Sequence, residues 1–423
     1  MKRNLKTSFL LIPVFVFAGI LTLSVKPENQ TAPIKAGFSK ILITPADPVR
    51  MSGYAARKDP FKGVHDDLFA AAAVFDDGTT KTCVITSDVI SYAMDYVDET
   101  KSRIAKSTGI PAANILMSAV HNHGGPITRA YENDLSENEK KYIATLQDKL
   151  VQVVKEASDK IQPAKIGVGK GICKMNINRR SELADGSISL GRNPYGICDQ
   201  EVGVIRVDDM NSKTIGLMVN WPCHGTTGGQ ENYQITGDWP GATARELEKS
   251  LGSAVIMVSA GASGDINPIY GPNDNFGDIN SMGYILGREV KKVYDEIETK
   301  QANELEVVSQ SLMAKGKKPS ESRQPNVSLT PDGEREIRLA TMKIGNILLC
   351  GISGELFNEI GLKIKEDSPY KNTFIMTHCN GSSGYLCTDI AYKEGGYEPM
   401  VSRTMPGTAQ QIIDGFRAMN NGL

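Results

Sequence analysis

The sequence predicts an α/β fold, with a central mixed sheet flanked by helices and with site loops at the carboxyl ends of strands. Three observations predict it. Short apolar, β-branched runs alternate with longer amphipathic stretches, which is the pattern of a sheet covered by helices. The 423 residues, 40% of them hydrophobic, supply a substantial core. Several apolar runs end in glycine-rich turns that carry polar side chains, and α/β sheets gather their sites outside such strand ends.

The elements follow in order. Residues 1–26 join a basic MKRNLK to an apolar run broken by Pro13 and read as a secretory signal peptide. This puts the rest of the chain outside the cytoplasm, secreted or periplasmic. If uncleaved, the run is near the lower length limit for a membrane anchor. Residues 27–35 are a polar linker, and 36–423 form a single domain with no further segment apolar enough to span a bilayer. Strands are expected in LFAAAAVFDD, KTCVITSDVI, NILMSAV, AKIGVGKG, VGVIRVDD, TIGLMVN, SAVIMVS, NILLCGIS and TFIMTH. Ser136 and Glu139 form a capping box ahead of a helix with Ile143, Leu146, Leu150, Val153 and Val154 on one face. A second helix places Met282, Ile285, Leu286, Val290, Val293 and Ile297 together. Residues 314–336 have no apolar period and read as a surface loop or hairpin.

Composition excludes some functions. Lys and Arg total 47 against 49 Asp and Glu, for a net charge of -2, so no broad basic surface exists for nucleic acid. The seven cysteines are too few and scattered for a disulfide scaffold, although their number leaves room for one or two bridges. No CxxC pair marks a cysteine zinc site. GASGD and GISGE lack the second glycine of a nucleophile elbow, so neither Ser263 nor Ser353 reads as a serine-hydrolase nucleophile.

Two of only five histidines stand two apart in SAVHNHGGP. Residues two apart in an extended strand share a face, so His121 and His123 can address one point, as a ligand pair or as a ligand beside a proton-handling partner. The other apolar runs end similarly: NWPCHG in His224, GISGE in Glu355, SGDINP in Asp265 and Asn267, and the run through THCNGSSGY leads to Tyr385. Two or three neutral imidazoles with a carboxylate are a ligand set that zinc favours, with one position left for water. Asp265 reads equally well as a turn former.

These motifs resemble, in order, those of the neutral (non-lysosomal) ceramidases. GFSKILITPADPVRMSGYA is similar to that family's opening strand and to the MMGYA loop at its active-site mouth, which puts Gly53 beside the substrate. HNHGGP resembles HTHSGP, NINRR resembles NINRS, NWPCHG resembles NWFAxHG, SGDINP resembles GDVSPN, and SGE followed by CNGSSGYLCT resembles PGE followed by NxYxxYITT. The resemblance implies a zinc ion held by His121, His224, Glu355 and Tyr385, with His123 lining the site and Arg179 contacting substrate. It also implies a secreted amidase or esterase of sphingolipid metabolism, acting on a lipid at or near a membrane surface. Asn267 stands where the family has a serine regarded as catalytic, and Asn122 and Gly124 replace the threonine and serine of HTHSGP. The family's immunoglobulin-like C-terminal domain has no counterpart before Leu423.

In the mechanism these residues imply, His123 carries a proton, Arg179 binds a carboxylate, phosphate or oxyanion, and Asn267 donates to an oxyanion in place of the serine. Gly53, Arg179 and Asp265 are the expected substrate contacts. Two alternatives stay open at this point: a zinc-dependent deacylase of acylated sugars or small polar molecules, and a zinc-containing binding protein without catalysis.

Overall fold

A computed structural model describes residues 32–129 and 134–423. The expected signal peptide and residues 27–31 of the linker lie outside the described residues. FAAAAVFD forms the strand Phe69–Asp76, whose six internal residues are all buried. Its side chains alternate between two cores: Ala70, Ala72 and Val74 enter one, and Ala71, Ala73 and Phe75 enter the other. The run is continuously apolar because both faces of the strand are covered.

Eight strands make the large sheet. Across it the order is Val255–Ala260, Thr214–Trp221, Glu201–Asp209, Gln162–Ile172, Lys35–Leu42, Phe69–Asp76, Lys81–Ser87 and Ile115–Ala119. Pairing is antiparallel through the middle and parallel at each edge. A parallel pair needs a crossover, and helices supply both: Asp238–Leu251 at one edge and Met94–Thr108 at the other.

Helices cover one face of this sheet. Glu137–Asp159, opened by the Ser136–Glu139 capping box, packs Tyr142, Leu146, Leu150, Val153 and Val154 beside Val97 and Ile104 of Met94–Thr108. At Gly37 the helix comes so close that a Cβ would stand 2.1 Å from the Ala157 carbonyl oxygen. Phe276–Glu296 covers the other half with Met282, Leu286, Val290 and Val293, next to Trp239 and Leu247. Ile285 of the expected apolar face is exposed instead.

The second face carries another sheet, ordered Leu305–Lys317, Pro331–Ile344, Ile347–Ile352 and Asn372–Met376. Phe38, Phe75, Met342, Leu349 and Phe374 fill the space between the sheets, each full burial contributing roughly 1.5–3 kcal/mol. The helices Asn358–Asp367 and Thr408–Asn421 cover its outer side through Ile360, Ile412 and Phe416. The layers therefore run helix, sheet, sheet, helix. The α/β class and the helix-flanked mixed sheet are as the sequence predicts; of the second sheet the strands in NILLCGIS and TFIMTH are as expected, whereas its long hairpin and its separation from the first sheet are not. Residues 314–336 form the far part of its long hairpin, paired as far as Lys317 and Pro331. All seven cysteines are free, and six of them are buried. Among the described residues no helix is long and apolar enough to cross a membrane.

Candidate metal centre

Three parallel strand pairs, the third being Ile347–Ile352 with Asn372–Met376, deliver polar residues to one place. His121 lies two residues beyond Ile115–Ala119, where a left-handed backbone (φ 57°) turns it inward. Its Nδ1 is 3.0 Å from the Ile90 carbonyl oxygen, which fixes the proton there and leaves the Nε2 lone pair free. His224 follows Thr214–Trp221 and is fixed in the same way, with Nδ1 2.6 Å from the Ser263 and 3.1 Å from the Ile266 carbonyl oxygens. Glu355 opens a two-residue strand paired in parallel with Tyr385–Leu386, so Glu355 and Tyr385 are direct neighbours.

The Glu355 carboxylate converges with both lone pairs on one point, its Oε2 standing 3.2 Å from His224 Nε2 and 3.4 Å from His121 Nε2, an acceptor cluster that a cation would join. Burial pushes this carboxyl up, but the two imidazoles outweigh burial and hold it well below its usual range. Burial, then the Arg179 guanidinium, pull His224 down to about 4. Imidazole nitrogens beside a carboxylate, each imidazole oriented from behind by a carbonyl, are the donor set of a divalent transition metal. His121, His123 and His224 offer ligand atoms within 4.8 Å of one another, and so do His121, Glu355 and His378.

His123 is half-buried, with Nε2 3.3 Å from His121 Nε2. Burial, and then His121 and His224, hold it well below its ordinary value, so it is neutral at pH 7. Gly53 packs on it with φ 100°, and a Cβ there would meet His123 Nδ1 at 2.4 Å. Arg179, on the strand Asn176–Glu182, is 4% exposed. Its Nε donates to Glu398 Oε1 at 2.7 Å, Nη1 to His224 Nε2 at 3.1 Å and Asn267 Oδ1 at 3.3 Å, and Nη2 to Tyr385 Oη at 3.0 Å. Asn267 is close because Ile266–Pro268 pairs with that strand.

Asp265 differs from its expected role as a substrate contact. Its carboxylate accepts from the Asn358 amide at 2.8 Å and Asn178 Nδ2 at 3.1 Å, and its carbonyl oxygen accepts from the Arg179 amide at 2.8 Å. It supports Arg179 from behind, a turn-building job. A cavity of about 520 Å³ opens onto His121, His123, Glu355 and Tyr385, with Arg50 and Lys58 also lining it.

Sequence reasoning missed two of the residues gathered here, His378 and Glu398, and offered Tyr397 only as an alternative to Tyr385. His378 sits two residues beyond Asn372–Met376, the rule that found His121, and its ring stacks on His121. Tyr397 packs edge-on against Tyr385 at 5.8 Å between ring centroids. Glu398 is fully buried between Arg179 and Arg180, and no sequence signal marks it.

The family model described as "Neutral/alkaline non-lysosomal ceramidase, N-terminal" matches residues 35–278. The chain belongs to this family. Among curated members it is 26% identical to neutral ceramidase B of Dictyostelium discoideum over 257 residues, 56% of this chain and 35% of that protein. It is 24% identical to the neutral ceramidase of Pseudomonas aeruginosa over 319 residues, 70% of this chain and 46% of that protein. The chain thus spans between a third and a half of the length of these relatives. Two solved ceramidase structures share the fold: one described as a ceramidase complexed with C2 (TM-score 0.77, 17% identity, 92% of this chain and 75% of that one), and the Pseudomonas aeruginosa neutral ceramidase (TM-score 0.75, 16% identity, 93% and 75%). Glu355, His378 and Tyr385 lie beyond the segment matched by the family model. It is the geometry that brings them to His121.

Proposed function

We propose that this protein is a secreted, zinc-dependent hydrolase of N-acyl amide bonds, with a ceramide-like lipid as its substrate class. The observation that carries the reading is the convergence of His121 Nε2 and His224 Nε2 on Glu355 Oε2, each imidazole fixed from behind by a backbone carbonyl. His121, His224 and Glu355 would hold the ion, and two nitrogens with a carboxylate suit zinc. Bound there, zinc supplies Lewis acidity, polarising a scissile carbonyl and making water acidic enough to attack near neutral pH.

The chain's own side chains do the rest. His123, held neutral, takes a proton from the attacking water and returns it to the leaving nitrogen. Arg179, tethered through Nε to Glu398, keeps its charge beside the reacting carbonyl and meets the developing oxyanion. Because Asn267 gives its carbonyl oxygen to Arg179, its amide N–H groups are left to donate to the same oxyanion. Burial pushes the Tyr385 phenol well above its ordinary range, so it stays a donor. The basic and then apolar opening of the chain supports export, and a lipid substrate would bring the enzyme to a membrane surface.

A second reading, deacylation of an acylated sugar or another small polar molecule, is favoured by Asn267 in the serine's place and by Arg50 and Lys58 on the cavity wall. The test is fatty-acid release from N-acyl sphingosine by the purified protein, with and without a chelator, beside His224→Ala. Chelator-sensitive release lost in the variant supports the first reading. Release from acylated sugars alone supports the second, and binding without turnover on any substrate contradicts both.

A further inference from the structure

The candidate site opens on two cavities with different linings. The one of about 520 Å³ and a second of about 350 Å³ share Arg129, Glu355, Ser382 and Tyr385, so both reach the same side of the metal centre. An amide held beside Glu355 can therefore send one limb into each. The larger cavity carries Met51, Ile90 and Ile127, three buried apolar side chains, on its wall, and such a surface suits an alkyl chain. Two of its cations are already engaged. Arg50 pairs with Asp134 and Glu139, and Arg57 donates to the backbone carbonyls of Ser52, His123 and Asn232.

The smaller cavity is cationic. Arg129, Arg335 and Arg403 line it against two carboxylates, Glu336 and Glu355. Neither carboxylate is available to them: Glu336 accepts from Ser311 and Arg338, and Glu355 faces His121 and His224. Arg335 pairs with Asp332, yet its Nε is buried with no hydrogen-bond partner among the described residues. The fold uses only the backbone carbonyl of Arg403, which accepts from the Lys317 amide. Its guanidinium is exposed and has no partner among the described residues. A guanidinium stays charged at neutral pH and grips a carboxylate or phosphate through parallel N–H donors, whereas a hydroxyl headgroup offers it a single, weaker acceptor.

We infer that the smaller cavity is the headgroup subsite and that the amine half of the substrate carries an anionic group, with the acyl chain in the larger cavity. The inference rests on the amide-hydrolase reading and narrows its ceramide-like class to negatively charged members.

The test is kcat/KM on two matched pairs, in the parent, Arg403→Gln and Lys58→Gln. The first pair is N-dodecanoyl glycine against N-dodecanoyl ethanolamine, and the second is the phosphate monoester of N-dodecanoyl sphingosine against N-dodecanoyl sphingosine. In the parent at least one anion should be favoured about 10- to 100-fold over its neutral partner, as one charge-assisted hydrogen bond supplies, and the pair that shows it tells carboxylate from phosphate. Arg403→Gln should lower that ratio about tenfold, through the KM of the anionic substrate. Neutral partners turned over as well as the anions in both pairs overturn the inference. A ratio lost in Lys58→Gln but kept in Arg403→Gln puts the headgroup in the larger cavity and overturns it too. No turnover of any amide overturns the hydrolase reading instead; calorimetric Kd values for the same pairs then decide the subsite, which equal values overturn.

Discussion

Glu355 Oε2 lies 3.2 Å from His224 Nε2, although 131 residues separate them in the chain. The meeting is built by strand ends. His224 leaves one edge of the large sheet, and Glu355 leaves the parallel pair of the second sheet, so the packing of sheet on sheet sets the distance. Chemistry at this site is therefore sensitive to whatever holds the side chains behind it.

Glu398 is one such support. It is fully buried and bonds both Arg179, at 2.7 Å, and Arg180, at 3.0 Å. Glu398→Gln takes the paired carboxylate from buried Arg179 and leaves Arg180 with Glu394 alone, and should destabilise the fold by about 3–5 kcal/mol, read as a lowered urea midpoint at unchanged m-value. An unchanged midpoint would show that the pair is not structural.

Gly53 sets the position of His123. With φ 100° and a Cβ that would fall 2.4 Å from His123 Nδ1, Gly53→Ala must push the imidazole or the loop aside. Turnover should fall roughly 10²-fold through misplacement of the proton carrier, while metal content holds at the parent value. Parent-like kcat in this variant would remove His123 from the mechanism.

Asn267 tests the oxyanion role. Asn267→Ala removes its amide donors while Arg179 keeps Glu398 and Tyr385. The expected result is a loss of about 10²–10³ in kcat with KM little changed. A change confined to KM would assign Asn267 to ground-state binding.

Asp88 gives the fold a pH dependence. Burial pushes its carboxyl from 3.8 up to about 7, only partly offset by the Phe69 amide it accepts from. Between those values the folded chain holds a proton that the unfolded chain has released, so stability falls as pH rises through this window and levels off above it. The effect should be roughly 2–4 kcal/mol between pH 4 and pH 8, and Asp88→Asn should flatten it in urea denaturation at a series of pH values. An equal slope in the variant would place the titration elsewhere.

Legibility in the sequence followed physical regularity. His121 and His224 could be read because each ends a strongly apolar strand in a glycine-rich turn. His378 obeys the same rule at the end of Asn372–Met376, but the CNGSSGY turn that follows carries Tyr385 as a second ligand-capable side chain, so the sequence pattern alone does not single out His378. Glu398 belongs to the five-residue helix Tyr397–Val401, too short for any periodicity, and only tertiary packing brings it to Arg179. Half of the second sheet was legible, as the strands NILLCGIS and TFIMTH, while its long hairpin was not, because the inner positions of Leu305–Lys317 alternate with long solvent-exposed stretches. Asp265 looked functional by motif, yet its carboxylate is consumed by Asn358 and Asn178, and no one-dimensional pattern shows where a hydrogen bond is spent.

The most direct test of the account is the metal content of the purified protein by elemental analysis, beside a His121→Ala, Glu355→Ala double variant. The account predicts about one zinc per chain in the parent, set by a single four-ligand site, and none in the variant. No stoichiometric transition metal in the parent, or equal metal in both proteins, would contradict it and make the buried histidine cluster a structural one.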